Sequence, residues 1–342
     1  MTSSDRSDVA PPPKDPWHSG ILRWADRLQQ RMPVLGFPVA VFKKYGEDAG
    51  RRHAALFTYY MFISVFPLLL LAVAIVQRLL QNDPALTARL INEIVPIALQ
   101  PTVTTALATL PSSGVAFTIG LVGLLLSSLG VVTSAYNTLN HLAAVPHRLR
   151  FTMVHRYLRI VFVLIILLLG MVAIAGFAVL SQDFLDIDGL QRTASLLGAV
   201  LVMFVILQTA AWLLVSRPTP ISSTWPAALV GSMVITAVLI FGGTVLARLV
   251  VRSGAVYGSF ATIVGIFTLL LLTSQALVFT AEIATVHRGH LWPRSLDPQQ
   301  PIAADFKALR LLAREQERLP RQRNEVRLIA GDASAHTTEK TP

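Results

Sequence analysis

Six stretches without a single Asp, Glu, Lys or Arg divide this chain: Ala54–Val76, Gly114–Tyr136, Ile160–Gln182, Thr193–Ser216, Pro218–Ala247 and Ser253–Ala281. A hydrocarbon core about 30 Å thick takes roughly 20 apolar helical residues to cross, and each stretch reaches that length. Lipid offers no partners to backbone N–H and C=O groups, so such runs cross as helices. The pattern predicts an all-α polytopic membrane protein. A six-transmembrane-helix bundle over residues 53–288 is expected between an N-terminal segment, 1–52, and a C-terminal segment, 289–342.

Amphipathic interfacial helices are expected around the bundle. Ile21, Trp24, Leu28 and Met32 recur at helical spacing, with Arg23, Arg27 and Arg31 on another face. Such a helix either lies in the membrane interface or packs against the bundle. Phe37–Tyr45 is expected to continue it after a break at Pro38. Residues 77–113 carry an apolar stripe of Leu86, Leu90, Ile94 and Ile97 or Ala98, opened by Pro84. It reads as a passive interfacial helix or as a lid over the mouth of the bundle. In the C-terminal segment, Ile302, Phe306, Leu309 and Ala313 form a stripe amid Lys307, Arg310, Arg314 and Arg318, the pattern of a helix held on anionic lipid. The first 20 residues and those beyond Pro320 are expected to be disordered.

Within the spans, Pro67 removes one backbone hydrogen bond from the middle of the first, which predicts a helix kink. Small residues fall where helices would meet: Gly120, Gly123, Ser127 and Gly130 in the second span, Gly242 and Gly243 in the fifth. Polar groups concentrate at one end. Tyr59 and Tyr60 begin the first span, Asn137 and Asn140 end the second, and Glu282 ends the sixth. An ionisable group in a span costs several kcal/mol unless paired or hydrated. Glu282 is therefore either paired, with Arg288 or Arg217 as nearby choices, or part of a transport site. The two asparagines either bond a neighbouring span or meet a lipid headgroup. Together, Tyr59, Tyr60, Asn137, Asn140 and Glu282 form a candidate polar cluster.

Composition agrees: 53% of residues are hydrophobic and only 14% charged, against about 25% charged in soluble domains. The net charge of +10 changes the picture through its placement. Nine Lys or Arg lie in residues 1–52 and ten in 285–342; Arg148, Arg150, Arg156, Arg159 and Arg217 join them on the same side. Arg78, Arg89, Arg192, Arg248 and Arg252 fall on the other. The positive-inside rule gives six spans with both termini cytoplasmic. Nucleic acid is excluded as a partner, because the basic residues come without stacking aromatics or a recognisable module. No removable signal peptide is expected. Cysteine is absent, and the eight histidines make no zinc spacing. Neither a metal site nor another cofactor is expected. No phosphate loop, nucleophile elbow or paired carboxylates suggest an enzyme.

The residues resemble a known family. Ala54–Leu68, reading AALFTYYMFISVFPL, is similar to the opening signature of the YihY/BrkB inner-membrane family. Ser134–Asn140 resembles its Ala-Leu-Asn segment, Trp225–Gly231 the start of its fifth span, and Tyr257, Gly258, Ser259 and Phe260 its Tyr-Gly-Ser motif. The likeness covers roughly residues 40–288 and is closest to the YhjD-like branch. The family's Gly-Ala-Glu-Leu-Asn ending reads Thr280-Ala281-Glu282-Ile283-Ala284 here, so only Ala281 and Glu282 are kept. The resemblance implies a multi-pass protein of the bacterial inner (plasma) membrane, associated with envelope lipid transport and virulence. An older label for some members, a transfer-RNA-processing ribonuclease, has no support in these residues: there is no ligand cluster or acidic pair to activate water.

Two functions follow as expectations. One is a transporter or flippase-like protein for an envelope lipid or other amphiphile, with membrane lipids, including anionic inner-leaflet lipid, as partners. The other is a non-transporting scaffold that gathers envelope-assembly proteins.

Overall fold

The structure, a computed structural model, describes residues 24–80 except 25, 113–170 except 153 and 167–168, 188–216, and 220–326 except 298–300, with 100 and 105 in isolation. All regular structure among the described residues is helical. The elements are α1 (Pro33–Glu47), α2 (Gly50–Leu80), α3 (Ser113–Leu142), α4 (Asp188–Leu214), α5 (Ile221–Arg252), α6 (Gly254–Gly289) and α7 (Ala303–Glu315). Residues 26–31 and 154–166 are also helical. Five helices, α2 to α6, contain stretches long and apolar enough to cross a membrane. The third expected crossing, 160–182, lies partly outside the described residues. So does the stripe of 77–113, with its lid reading.

α6 is the central element: it packs on α5, α2, α1 and α3, while α2 pairs with α3 and α4 with α5. The helices run antiparallel, so one end of the bundle collects the start of α2 and of α5 and the ends of α3, α4 and α6. α1 and α7 lie against that end. Small residues account for the close pairing of α2 and α3. Gly120 meets the backbone of Leu71, with only 2.9 Å between an added Cβ and its nitrogen, and Gly123 faces Pro67. Gly130 faces the Tyr60 ring. In α5, Gly242 meets Leu269 of α6, whereas Gly243 meets nothing. Large apolar side chains such as Phe66, Leu126, Leu201, Phe241 and Phe260 cover the outside, as expected where lipid is the solvent.

One proline behaves differently from expectation. The break falls at Met32, and α1 runs unbroken through Pro38. Pro33 sits at the first helical position, where its missing N–H costs nothing, and Pro38 removes a single bond from an otherwise continuous helix. Pro67 lies inside α2, with the Ser64 hydroxyl donating to the Tyr60 carbonyl one turn before it.

The terminal segments pack on the bundle. In the helical residues 26–31 it is Gln29 that is buried, donating to the Arg294 carbonyl, while Trp24 and Met32 are exposed. Asp26 accepts from the Leu296 N–H at 2.8 Å. α7 is also rotated from its apolar stripe: Asp305, Ala308 and Glu315 are buried, and Leu309 is exposed. Ion pairs decide that orientation. The chain beyond Pro320 turns back on α7, where Asn324 donates to the Ala313 carbonyl. Residues 327–342 lie outside the described residues.

Candidate functional site

A two-residue turn, Asp48 and Ala49, joins α1 to α2, with Ala49 in the left-handed region at φ 53°. It brings the end of α1 against α6. Lys44 of α1 and Asp48, four residues on at the cap of that helix, pair directly. The Lys44 ammonium also lies 3.0 Å from Glu282 Oε2 and donates to the Leu142 carbonyl at 3.1 Å. Glu282 is fully buried. Among the described residues its Oε1 meets no hydrogen-bond donor, and the same holds for Asp48 Oδ1. Burial works against the charge on Lys44, but Glu282 and then Asp48 outweigh it and hold the ammonium above the usual lysine value. Glu282 pairs with Lys44, a partner that the sequence did not offer; Arg217 lies outside the described residues.

Beside this triad, α7 closes the same end. Glu315 takes His141 Nδ1 at 2.8 Å and Arg150 at 2.8 Å, and Arg148 meets Glu317 at 3.1 Å. Arg294, only 1% exposed, donates to both oxygens of Glu47 at 2.8 and 2.9 Å and to Asp305 at 2.6 Å. Lys43 reaches Asp305 at 2.9 Å. Burial raises the Asp305 carboxyl, but Arg294, Lys43 and the N–H groups of Ile302 and Ser295 outweigh that and hold it down at about 2.

The proposed polar cluster divides between two neighbours. Asn140 is fully buried and faces α4, donating to the carbonyls of Tyr136 and Leu214 at 2.7 and 2.8 Å and accepting from the Ser216 N–H at 2.8 Å. Glu282 faces α1. Asn137 is exposed, as is Tyr59, and Tyr60 packs on Gly130. Gly258 and Ser259 sit at the far end of α6, and the Tyr257 side chain lies outside the described residues. Sequence reasoning missed Lys44, Asp48, Glu315, Arg294 and Asp305. The one local signal was the spacing of Lys44 and Asp48 on one helix face.

Next to the triad the helices leave an apolar cavity of about 140 Å³, lined by Phe57, Leu139, Ala211, Ala228 and Ala284, with Arg288 on its wall. The Arg288 guanidinium donates to the Ala143 carbonyl at 3.4 Å. Outside, between α1, α5 and α6, runs an apolar groove of about 310 Å³ lined by Val41, Phe42, Val234, Phe279 and Ile283. Thr280 lines both spaces. It fills the room left by Gly231 of α5, where no Cβ would fit.

Residues 41–301 match the family model described as Virulence factor BrkB. No curated protein and no solved structure matches the chain.

Proposed function

The chain is a multi-pass membrane protein that belongs to the Virulence factor BrkB family, and on that premise we propose that it carries an envelope amphiphile across the bacterial inner membrane. The observation that carries this reading is the apolar cavity with Arg288 on its wall, separated from the outer groove by Thr280 and Gly231. An apolar space near 150 Å³ takes a benzene-sized group, so a whole lipid does not fit. The groove is larger. An acyl segment lying in the groove and inserting past Thr280, with an anionic headgroup drawn to the guanidinium, matches both spaces. In this reading the end that carries α7 faces the cytoplasm, which the excess of Lys and Arg there supports. No enzymatic step belongs to the proposal.

The test is lipid retention and movement. Native mass spectrometry of detergent-extracted protein should show a bound lipid, lost in Ala228→Phe without a matching loss of thermal stability. Reconstituted vesicles should move labelled lipid, and Ala228→Phe should block that movement. Failure of the natural protein to move lipid, with and without a proton gradient, would overturn the transporter reading.

A scaffold for envelope-assembly proteins is the second reading. It is favoured by the outer face of α7 and the turn after it, where Lys307, Arg310, Arg314 and Arg318 are all exposed. Replacing these four by Gln leaves the buried pairs of Asp305, Glu315 and Glu317 intact, which deletion of the segment would not. Loss of function in that variant with lipid movement retained selects the scaffold.

A further inference from the structure

Charge counting at the triad gives two carboxylates for one ammonium. Asp48 and Glu282 are both buried, and Lys44 between them is their shared cation. Among the described residues, two carboxylate oxygens there, Glu282 Oε1 and Asp48 Oδ1, meet no hydrogen-bond donor. A buried carboxylate ordinarily gathers several donors or a cation of its own. This pair has one half-share each.

We propose that the Lys44–Asp48–Glu282 triad is a proton-binding site, holding one exchangeable proton between its two carboxyl groups at the end of the bundle that carries α7. One proton brings the site to neutrality and turns one carboxyl from acceptor into donor, which suits the orphaned oxygens beside it. A metal ion fits less well, because the ammonium already stands against both carboxylates and would repel it. Among the described residues no group of His, Asp and Glu has metal-binding geometry.

The other titratable groups around the triad answer to one another. Tyr45 belongs to α1 itself and stacks on Phe279, its ring 4.2 Å away. His53 on α2 bonds Thr138 at 3.0 Å and lies 4.9 Å, ring to ring, from His141 on α3. His141 Nδ1 meets Glu315 of α7, which Arg150 also holds. His141 Nε2 meets the Asp48 main-chain carbonyl at 3.3 Å and also acts on the triad through space by its charge. Arg288, on α6, turns to Ala143. The titratable groups of α5, Arg248 and Arg252, are at its other end. Among the described residues Lys44 is therefore the one cation paired with both carboxylates. The site stands whether or not the protein carries a lipid.

Infrared difference spectra of the full chain in detergent, taken across about pH 5 to 9, the range that buried carboxyl groups reach, test this directly. The natural protein should show one protonated-carboxyl band that disappears as pH rises. Glu282→Gln and Asp48→Asn should each lose the band, because each leaves one carboxylate for one ammonium, while helical content is kept. If one of the two fails to fold, the other carries the comparison. Lys44→Gln should keep the band to higher pH, and His141→Gln should keep it too. Thermal stability of the natural protein should fall with rising pH, since the folded site holds a proton that the unfolded chain releases, and that slope should flatten in Glu282→Gln. Absence of the band in the natural protein, its persistence in both carboxyl variants, or its loss in His141→Gln would each overturn the proposal.

Discussion

The side-chain oxygen of Asn140 accepts the backbone N–H of Ser216 at 2.8 Å, so a single amide on α3 fixes the chain just beyond α4. Its nitrogen holds the Leu214 carbonyl at the same time. This closes the end of a helix whose last carbonyls have no partner of their own.

Asn140→Leu should strand the Leu214 carbonyl and the Ser216 N–H. A buried group left without a partner costs about 1–3 kcal/mol, so thermal unfolding in detergent should shift clearly downward. Asn137→Leu, at an exposed position, should leave the midpoint nearly unchanged. Equal shifts in the two variants would contradict the clamp.

Arg294 is the anchor of the C-terminal segment, holding Glu47 of α1 and Asp305 of α7 together. Removing one partner from a buried ion pair costs about 3–5 kcal/mol. Arg294→Met should therefore release α7, read as faster protease cleavage between residues 292 and 303, while the spans stay resistant. Arg318→Gln, on the exposed outside, is the control.

Docking of α7 should tolerate acid. The Asp305 carboxyl is held at about 2 in the fold, against an ordinary aspartate value of about 3.9. A depressed value means that its stabilisation is fully present above pH about 4 and is lost as pH falls toward about 2. Protease sensitivity of the C-terminal segment should rise as pH falls through that interval. Asp305→Asn should remove this step and leave the segment loosened already at neutral pH.

Gly120→Ala should push α2 and α3 apart, because the added methyl meets the backbone of Leu71 rather than a movable side chain. Overpacking of this kind costs about 1–3 kcal/mol. Gly243→Ala meets nothing within 4 Å and should be neutral or slightly stabilising, since Gly is the poorer helix residue by roughly 0.5–1 kcal/mol. A pair of unfolding curves decides between them.

Much of the fold was legible along the chain because the properties that set it are local. Uncharged run length marks a crossing helix, and the spacing of Gly120, Gly123 and Gly130 marks the face on which α2 would lie. The family motifs around Pro67, Trp225 and Glu282 were legible in the same way. The candidate site was not. Glu282 announced that it needed a partner, but proximity along the chain favoured Arg288, and the partner proved to be Lys44 from α1. The same holds for Asn140, whose bonds go to α4, and for α7, whose apolar stripe suggested one buried face while Asp305 and Glu315 turned another inward. A hydrophobic run needs only water or lipid beside it to determine its state, whereas a buried charge is satisfied only by a particular group at about 3 Å, and which residue arrives at that distance is decided by how the helices pack.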